Sequence, residues 1–199
     1  MRTRFKPLNF ANGFSLLIGL LMMASFPGFG QREGKETIDA TAFGTSTQMG
    51  RNFNVKILIN EFSSPEDRDI LVRAFQQGQN DGLRDALEKM KSVGRIQTPG
   101  TVGYDLKFIR EIVTPTGRTI RFLTDRLIAF GEARRDTQSK SFNLTAGEIN
   151  FNDKDKNKSG GALLPAAQLI VNKEGELQIE LNQNAWRLTN IIEWKKKEQ

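Results

Sequence analysis

The chain contains no cysteine and no histidine, and only one tyrosine, Tyr104, among its 199 residues. Each absence removes a class of chemistry. Without cysteine there is no disulfide, no thiol catalysis, no thiolate metal site and no lipid attachment through an N-terminal cysteine, so packing alone must hold the fold. Without histidine the commonest general base is gone, and with it the usual transition-metal ligand and every Ser-His-Asp mechanism. Carboxylates, lysine, arginine, hydroxyls and Tyr104 remain. Two carboxyl groups suffice for a glycosidase, so an enzyme is disfavoured rather than excluded. The sequence assigns no catalytic, cofactor-binding or metal-ligating residue.

Long apolar runs are scarce as well. The one near the start, Phe14 to Phe26, has thirteen residues. As a helix it would reach about 20 Å, short of the roughly 30 Å hydrocarbon core of a bilayer. Arg2, Arg4 and Lys6 precede it, Pro27 breaks it, and Gly28 and Gly30 supply small residues at alternate positions. That order predicts a secretory signal peptide over 1–30, cut after Gly30; the alternative is an anchor that stays attached. Cleavage would leave 169 residues from Gln31 to Gln199, enough for one domain with its own core and no membrane span. It would also remove three basic side chains and no acidic ones. The formal charge then drops from +6 to +3, as 26 basic residues face 23 acidic ones. The only basic run is Lys195-Lys196-Lys197, without interleaved aromatics, and export itself argues against a nucleic-acid partner. A protein or a small apolar ligand is the expected partner class, in the periplasm or outside the cell.

Residues 31–50 form a polar N-terminal segment in which Ile38, Ala40 and Ala42 alternate with polar residues, predicting a short strand over 37–43. A single α+β domain is expected over 51–196. Phe53, Val55, Ile57 and Ile59 make a one-sided strand. Ser64, Pro65, Glu66 and Asp67 then open a helix, with serine as cap and acids at the positive end. Apolar stripes Ile70, Leu71, Ala74, Phe75 and Leu83, Ala86, Leu87, Met90 flank Gly78, and Gly94 follows the second. They predict a helical hairpin at about 64–93 that packs on its own sheet.

The rest reads as strand. Tyr104, Leu106, Phe108 and Ile112 are placed on one face, continued by Ile120 and Phe122, then by Ile128 and Phe130. Phe142, Leu144 and Ala146 fall out of phase with Ile149 and Phe151, which a β-bulge at Gly147 would repair. Ala162 to Val171, Leu177 to Leu181 and Leu188 to Trp194 complete the set. Thr114-Pro115-Thr116-Gly117-Arg118 and Asn172-Lys173-Glu174-Gly175-Glu176 both carry glycine fourth of five, as a three-residue hairpin loop requires. That register sets Ile112 against Ile120 and Glu111 against Arg121 in one hairpin. In the other it sets Val171 against Leu177 and Leu169 against Ile179. Gly117 and Gly175 then need a left-handed backbone, whereas Gly103 should tolerate alanine.

Few segments carry chemistry. Residues 153–160 (Asp-Lys-Asp-Lys-Asn-Lys-Ser-Gly) alternate oxygen donors as a calcium loop does. Lys158 occupies the turn position and Leu164 the closing one, however, so a polar hairpin loop is expected instead. Tyr104-Asp105 and Thr124-Asp125-Arg126 offer an acid, a base and a hydroxyl, but turn capping and ion pairing explain them as well. Trp186 and Trp194 are read as core aromatics.

The segments Thr101-Val102-Gly103-Tyr104-Asp105, Thr124-Asp125-Arg126, Phe130-Gly131-Glu132-Ala133 and Leu163-Leu164-Pro165-Ala166 resemble short segments of a group of exported bacterial proteins with no assigned activity. The resemblance implies a bacterial, exported, single-domain protein, and it carries over no functional residue. The expected architecture is α+β: one mostly antiparallel sheet, a sandwich or partial barrel, with the helical hairpin inserted. The expected function is an exported non-enzymatic binding or structural module; the alternatives are a carrier for an apolar small molecule and a carboxylate-based hydrolase.

Overall fold

The computed structural model describes residues 35–45, 49–128, 143–171, 177–179 and 185–195. The signal peptide expected over 1–30, Phe130, Phe142 and the turn expected at 172–176 lie outside these residues. In chain order the elements are β1 (Glu36–Phe43), β2 (Asn52–Ile59), α1 (Pro65–Lys89), β3 (Gly94–Gln97), β4 (Tyr104–Leu106), β5 (Phe108–Thr114) and β6 (Gly117–Leu123). They continue with β7 (Leu144–Asn152), a 3-10 turn (Lys156–Lys158), β8 (Gly160–Ala167), β9 (Leu169–Val171), β10 (Leu177–Ile179) and β11 (Trp186–Lys195).

Nine strands make one antiparallel sheet in the order β4-β3-β2-β1-β11-β8-β7-β6-β5, and β9 and β10 pair separately. The sheet curls until its two edges almost meet. Ser63, just past β2, bridges the gap as a strand residue would. Its N–H donates to the Ile109 carbonyl at 2.8 Å, and its hydroxyl accepts from the Ile109 N–H at 3.1 Å. The result is a nearly closed barrel, so little of the sheet edge is left for unwanted pairing.

Inward-facing residues fill the barrel. Ile38, Ile57, Ile96, Ile109, Ile120, Phe122, Ile149, Leu163, Trp186 and Leu188 belong to one buried cluster. A second cluster lies outside the sheet, where α1 places Leu71, Phe75, Leu83 and Leu87 on Phe108, Leu123, Leu144, Ala146, Leu164 and Leu169. The helix therefore covers only the side of the barrel formed by β5 to β8, and β9 extends that cover.

Local chemistry explains how α1 begins. Ser64 accepts from the Asp67 N–H at 3.2 Å and Asp67 accepts from the Ser64 N–H at 2.9 Å, a reciprocal capping box, with Pro65 as first helical residue. The helical hairpin expected over 64–93 is not confirmed. There is one helix with a sharp break, at Gly78 and at Gln79, whose φ is +51°. The break is abrupt enough that a Cβ at Gly82 would stand 2.4 Å from the Ala74 carbonyl oxygen. Eight residues of straight helix would hold those positions about 12 Å apart.

Strand β1 matches the short strand expected over 37–43, and it is central, paired to β2 on one side and β11 on the other. The β9–β10 register is the expected one, with Val171 opposite Leu177 and Leu169 opposite Ile179. The β5–β6 register is not. Thr114 pairs with Gly117, so the loop has two residues, Pro115 and Thr116, and every partner shifts by one. Glu111 then faces Ile120 and Arg110 faces Arg121. The expected Glu111–Arg121 pair does not form; Arg121 instead binds Glu148 at 2.6 Å. Pro115 cannot take positive φ, so a primed two-residue turn is excluded, and Gly117 absorbs the conformation at φ +152°.

Three further expectations change. Gly103 has φ +78°, and a Cβ there would lie 2.4 Å from the Ile96 carbonyl, so it demands glycine as strongly as Gly117. No bulge sits at Gly147, which pairs in step with Phe122; the irregularity in β7–β8 falls between Leu144 and Ala146. Both faces of that stretch are buried, one by the barrel and one by α1, and this produces the apparent change of phase. The strand expected from Ala162 to Val171 breaks at Gln168 into β8 and β9.

Candidate functional site

Two groups of charge occupy defined places in the barrel. The first is a plug at the end where β1 begins and β11 stops. Alternation that turns Ile120 and Phe122 inward also turns Arg118 inward, two residues earlier. The same rule carries Glu36 inward ahead of Ile38. Glu193 arrives by another route. Between Asp39 and Thr41 the β1–β11 register gains a residue on β11, with Asn190 at φ +51°. That bulge sends Glu193 into the barrel and leaves Ile192 and Trp194 outside.

Arg118 is buried, and its guanidinium satisfies three carboxylates. It donates to Glu36 at 2.6 and 3.2 Å, to Glu111 at 2.6 Å and to Glu193, while lying 5.0 Å from the centre of the Phe151 ring. Burial by itself would lower the pKa of this guanidinium. The hydrogen bonds to Glu36 and Glu111 and the nearby negative charge outweigh it and hold Arg118 above the usual arginine range.

The second group seals the seam between β4 and β5. Lys107 is the residue that interrupts them; its ammonium donates to the Met90 carbonyl at 3.0 Å and stands 4.0 Å from Asp125. Asp125 is buried and receives Arg126 at 2.9 Å. The Arg126 hydrogen bond, opposed by burial and helped by the charges of Arg126 and Lys107, holds the Asp125 carboxyl below its ordinary range. Thr124 supports the turn: its hydroxyl donates to the Arg126 carbonyl at 2.5 Å and accepts from the Thr145 N–H at 3.1 Å. Capping and pairing thus account for Thr124-Asp125-Arg126. Asp105 binds Arg95 at 2.9 Å, and Tyr104 packs half-buried against the barrel core. The charge of Asp105 also acts on Arg126.

In the loop after β7, Asn152 Oδ1 accepts the N–H groups of Lys154 and Asp155, at 3.1 and 2.9 Å. Asp155 in turn accepts from Asn157 N–H at 3.1 Å and pairs with Lys158 at 3.6 Å. These oxygens serve the loop's own backbone. Among the described residues no group of three or more carboxylates is placed to hold a metal ion. The tryptophans part company. Trp186 is buried, 4.7 Å from Phe53 between ring centres, and its Nε1 has no hydrogen-bond partner among the described residues. Trp194 is exposed rather than core, its Nε1 donating to Asp39 at 2.9 Å.

Sequence reasoning passed over Arg118 and its carboxylates. Strand alternation carried the signal for Arg118 and Glu36, since each sits two positions from an inward apolar residue. Glu111 and Glu193 were hidden by the turn length and by the bulge. No protein-family model, no curated protein and no solved structure matches this chain. Among the described residues no helix is long and apolar enough to cross a membrane.

Proposed function

We propose that the protein is exported, cut near Gly30, and acts in the periplasm or outside the cell as a non-enzymatic binding or structural module. The observation that carries this reading is the barrel interior: large apolar side chains occupy its middle, and the buried Arg118 spends its donors on the protein's own carboxylates. A barrel filled in this way works through its outer surface.

The hydrolase alternative has one point in its favour. Glu36 and Glu111 accept from the same nitrogen of Arg118 at 3.2 and 2.6 Å, so those oxygens lie no more than about 6 Å apart, near the spacing of a retaining glycosidase. The guanidinium stands between them, however, where a substrate would have to lie. The carrier alternative rests on Trp186, whose buried Nε1 a ligand oxygen could satisfy.

Native mass spectrometry of the protein purified from its own host separates these readings. The module predicts the bare chain mass beginning near Gln31. A stoichiometric small molecule, lost together with a shift in Trp186 fluorescence on organic extraction, would establish the carrier instead. A mass that retains Met1 would overturn cleavage.

A further inference from the structure

The charged plug lies beneath a rim with a different character. Glu36 pairs with Lys195, so the start of β1 and the end of β11 reach the same end of the barrel. Arg118 ties that end to the β5–β6 hairpin through Glu36 and Glu193. Gly117, beside Arg118, pairs with Asn152, and the Asp153 N–H donates to the Thr116 carbonyl at 2.9 Å. The loop of residues 153–159 therefore extends from this end too. It exposes Lys154, Lys156 and Lys158. Lys35, also exposed, precedes β1.

Acidic residues are present, but most are already engaged. Asp155 pairs with Lys158, Asp39 stands 3.8 Å from Lys56, and Glu36, Glu111 and Glu193 point inward to Arg118. Asp153 is exposed. The outward charge is thus mainly lysine. Next to it the β11 bulge exposes two large apolar side chains, Trp194 at 58% and Ile192 at 51%, and Val113 stands 73% exposed beside the hairpin turn. The outer face of β1, β2 and β11 contributes nothing to the cluster that α1 covers.

We propose that this end of the barrel docks on an anionic bilayer surface, Trp194 entering the headgroup layer while the rim lysines meet lipid phosphates. Tryptophan favours that layer because its ring is apolar and its N–H is polar. Lysine reaches it with a flexible stem, and a cluster of lysines near an anionic leaflet adds binding with each charge. The inference rests on the module reading, since a protein that works from its surface needs something to meet.

The test uses the protein as its host processes it, with vesicles of phosphatidylglycerol and phosphatidylcholine set against vesicles of phosphatidylcholine alone. Binding should be at least tenfold stronger to the anionic vesicles and should weaken in 0.5 M salt. Emission from Trp194 should shift to the blue, because Trp186 is already buried. Replacing Lys154, Lys156 and Lys158 together by glutamine should weaken binding at least tenfold. Trp194→Ala should weaken it severalfold and abolish the shift, with unchanged thermal unfolding showing that the variant folds. Equal binding to neutral vesicles would overturn the proposal, as would binding with no emission shift or binding that the lysine variant leaves intact. A small molecule found by native mass spectrometry would instead overturn the module reading, so the two failures can be told apart.

Discussion

Strands β1 and β2 alternate cleanly between buried and half-exposed residues, whereas β7, in the same sheet, buries four consecutive residues from Leu144 to Gly147. The difference is what lies outside each strand. Among the described residues no helix lies over the outer side of β1 and β2, so one face is polar and the period of two survives in the sequence. Over β5 to β8 the helix adds a second apolar surface, and both sets of side chains are apolar for unrelated reasons. The inner layer also tolerates a buried charge at one end; the layer beneath α1 gathers apolar side chains.

The largest effect should come from the charge. Arg118→Met would leave Glu36, Glu111 and Glu193 crowded together without the guanidinium they share, and chemical denaturation should show a loss of about 3–5 kcal/mol. A loss below about 1 kcal/mol would mean that the plug is solvated and the inner layer ends short of it. Next, Leu83→Ala beneath the helix should cost about 2–5 kcal/mol, while Thr41→Ala on the uncovered outer face should stay within about 0.5 kcal/mol. Equal costs would erase the distinction between the two sides. Gly147→Ala sharpens it further. The added methyl would lie 2.1 Å from Phe122 Cζ, so overpacking should cost about 1–3 kcal/mol.

Acid should act through the seam. The Asp125 pKa is below its ordinary value of 3.8, so its stabilising contribution is fully present above about pH 4 and is lost as pH falls through the lowered value. Asp125→Asn should destabilise the protein at pH 6 and flatten its acid unfolding below pH 4. Between pH 5.5 and 8 the melting temperature should hardly move, because the chain has neither histidine nor cysteine. A change of several degrees would reveal another shifted group. The smallest effect belongs to the half-exposed Arg121–Glu148 pair, where Glu148→Gln should cost about 0–1 kcal/mol by the same denaturation measurement.

Local rules carried far where one residue's neighbours in sequence are also its physical determinants. The cap of α1, the strands β1 and β2 and the β9–β10 register were legible because a cap oxygen, a one-sided period and a matched pair of apolar rows are short-range features. The β5–β6 turn shows the limit. Glycine at the fourth of five positions suited a three-residue loop, and apolar matching agreed, yet the pairing of Gly117 with Asn152 on β7 accompanies a shorter turn. That choice belongs to the sheet, not to the turn.

By itself, then, the sequence determined the chemistry that was out of reach, the start of the helix and the mainly β character of the chain. Only the tertiary structure decided that the sheet would curl to near closure, that α1 would cover one side, and that three carboxylates would meet around Arg118. It also decided that Trp194 would face outward. The physical reason is common to all of these. Propensity and alternation act over a few residues, whereas burial of Arg118 depends on carboxylates 82, 7 and 75 positions away, and no local pattern can hold that distance.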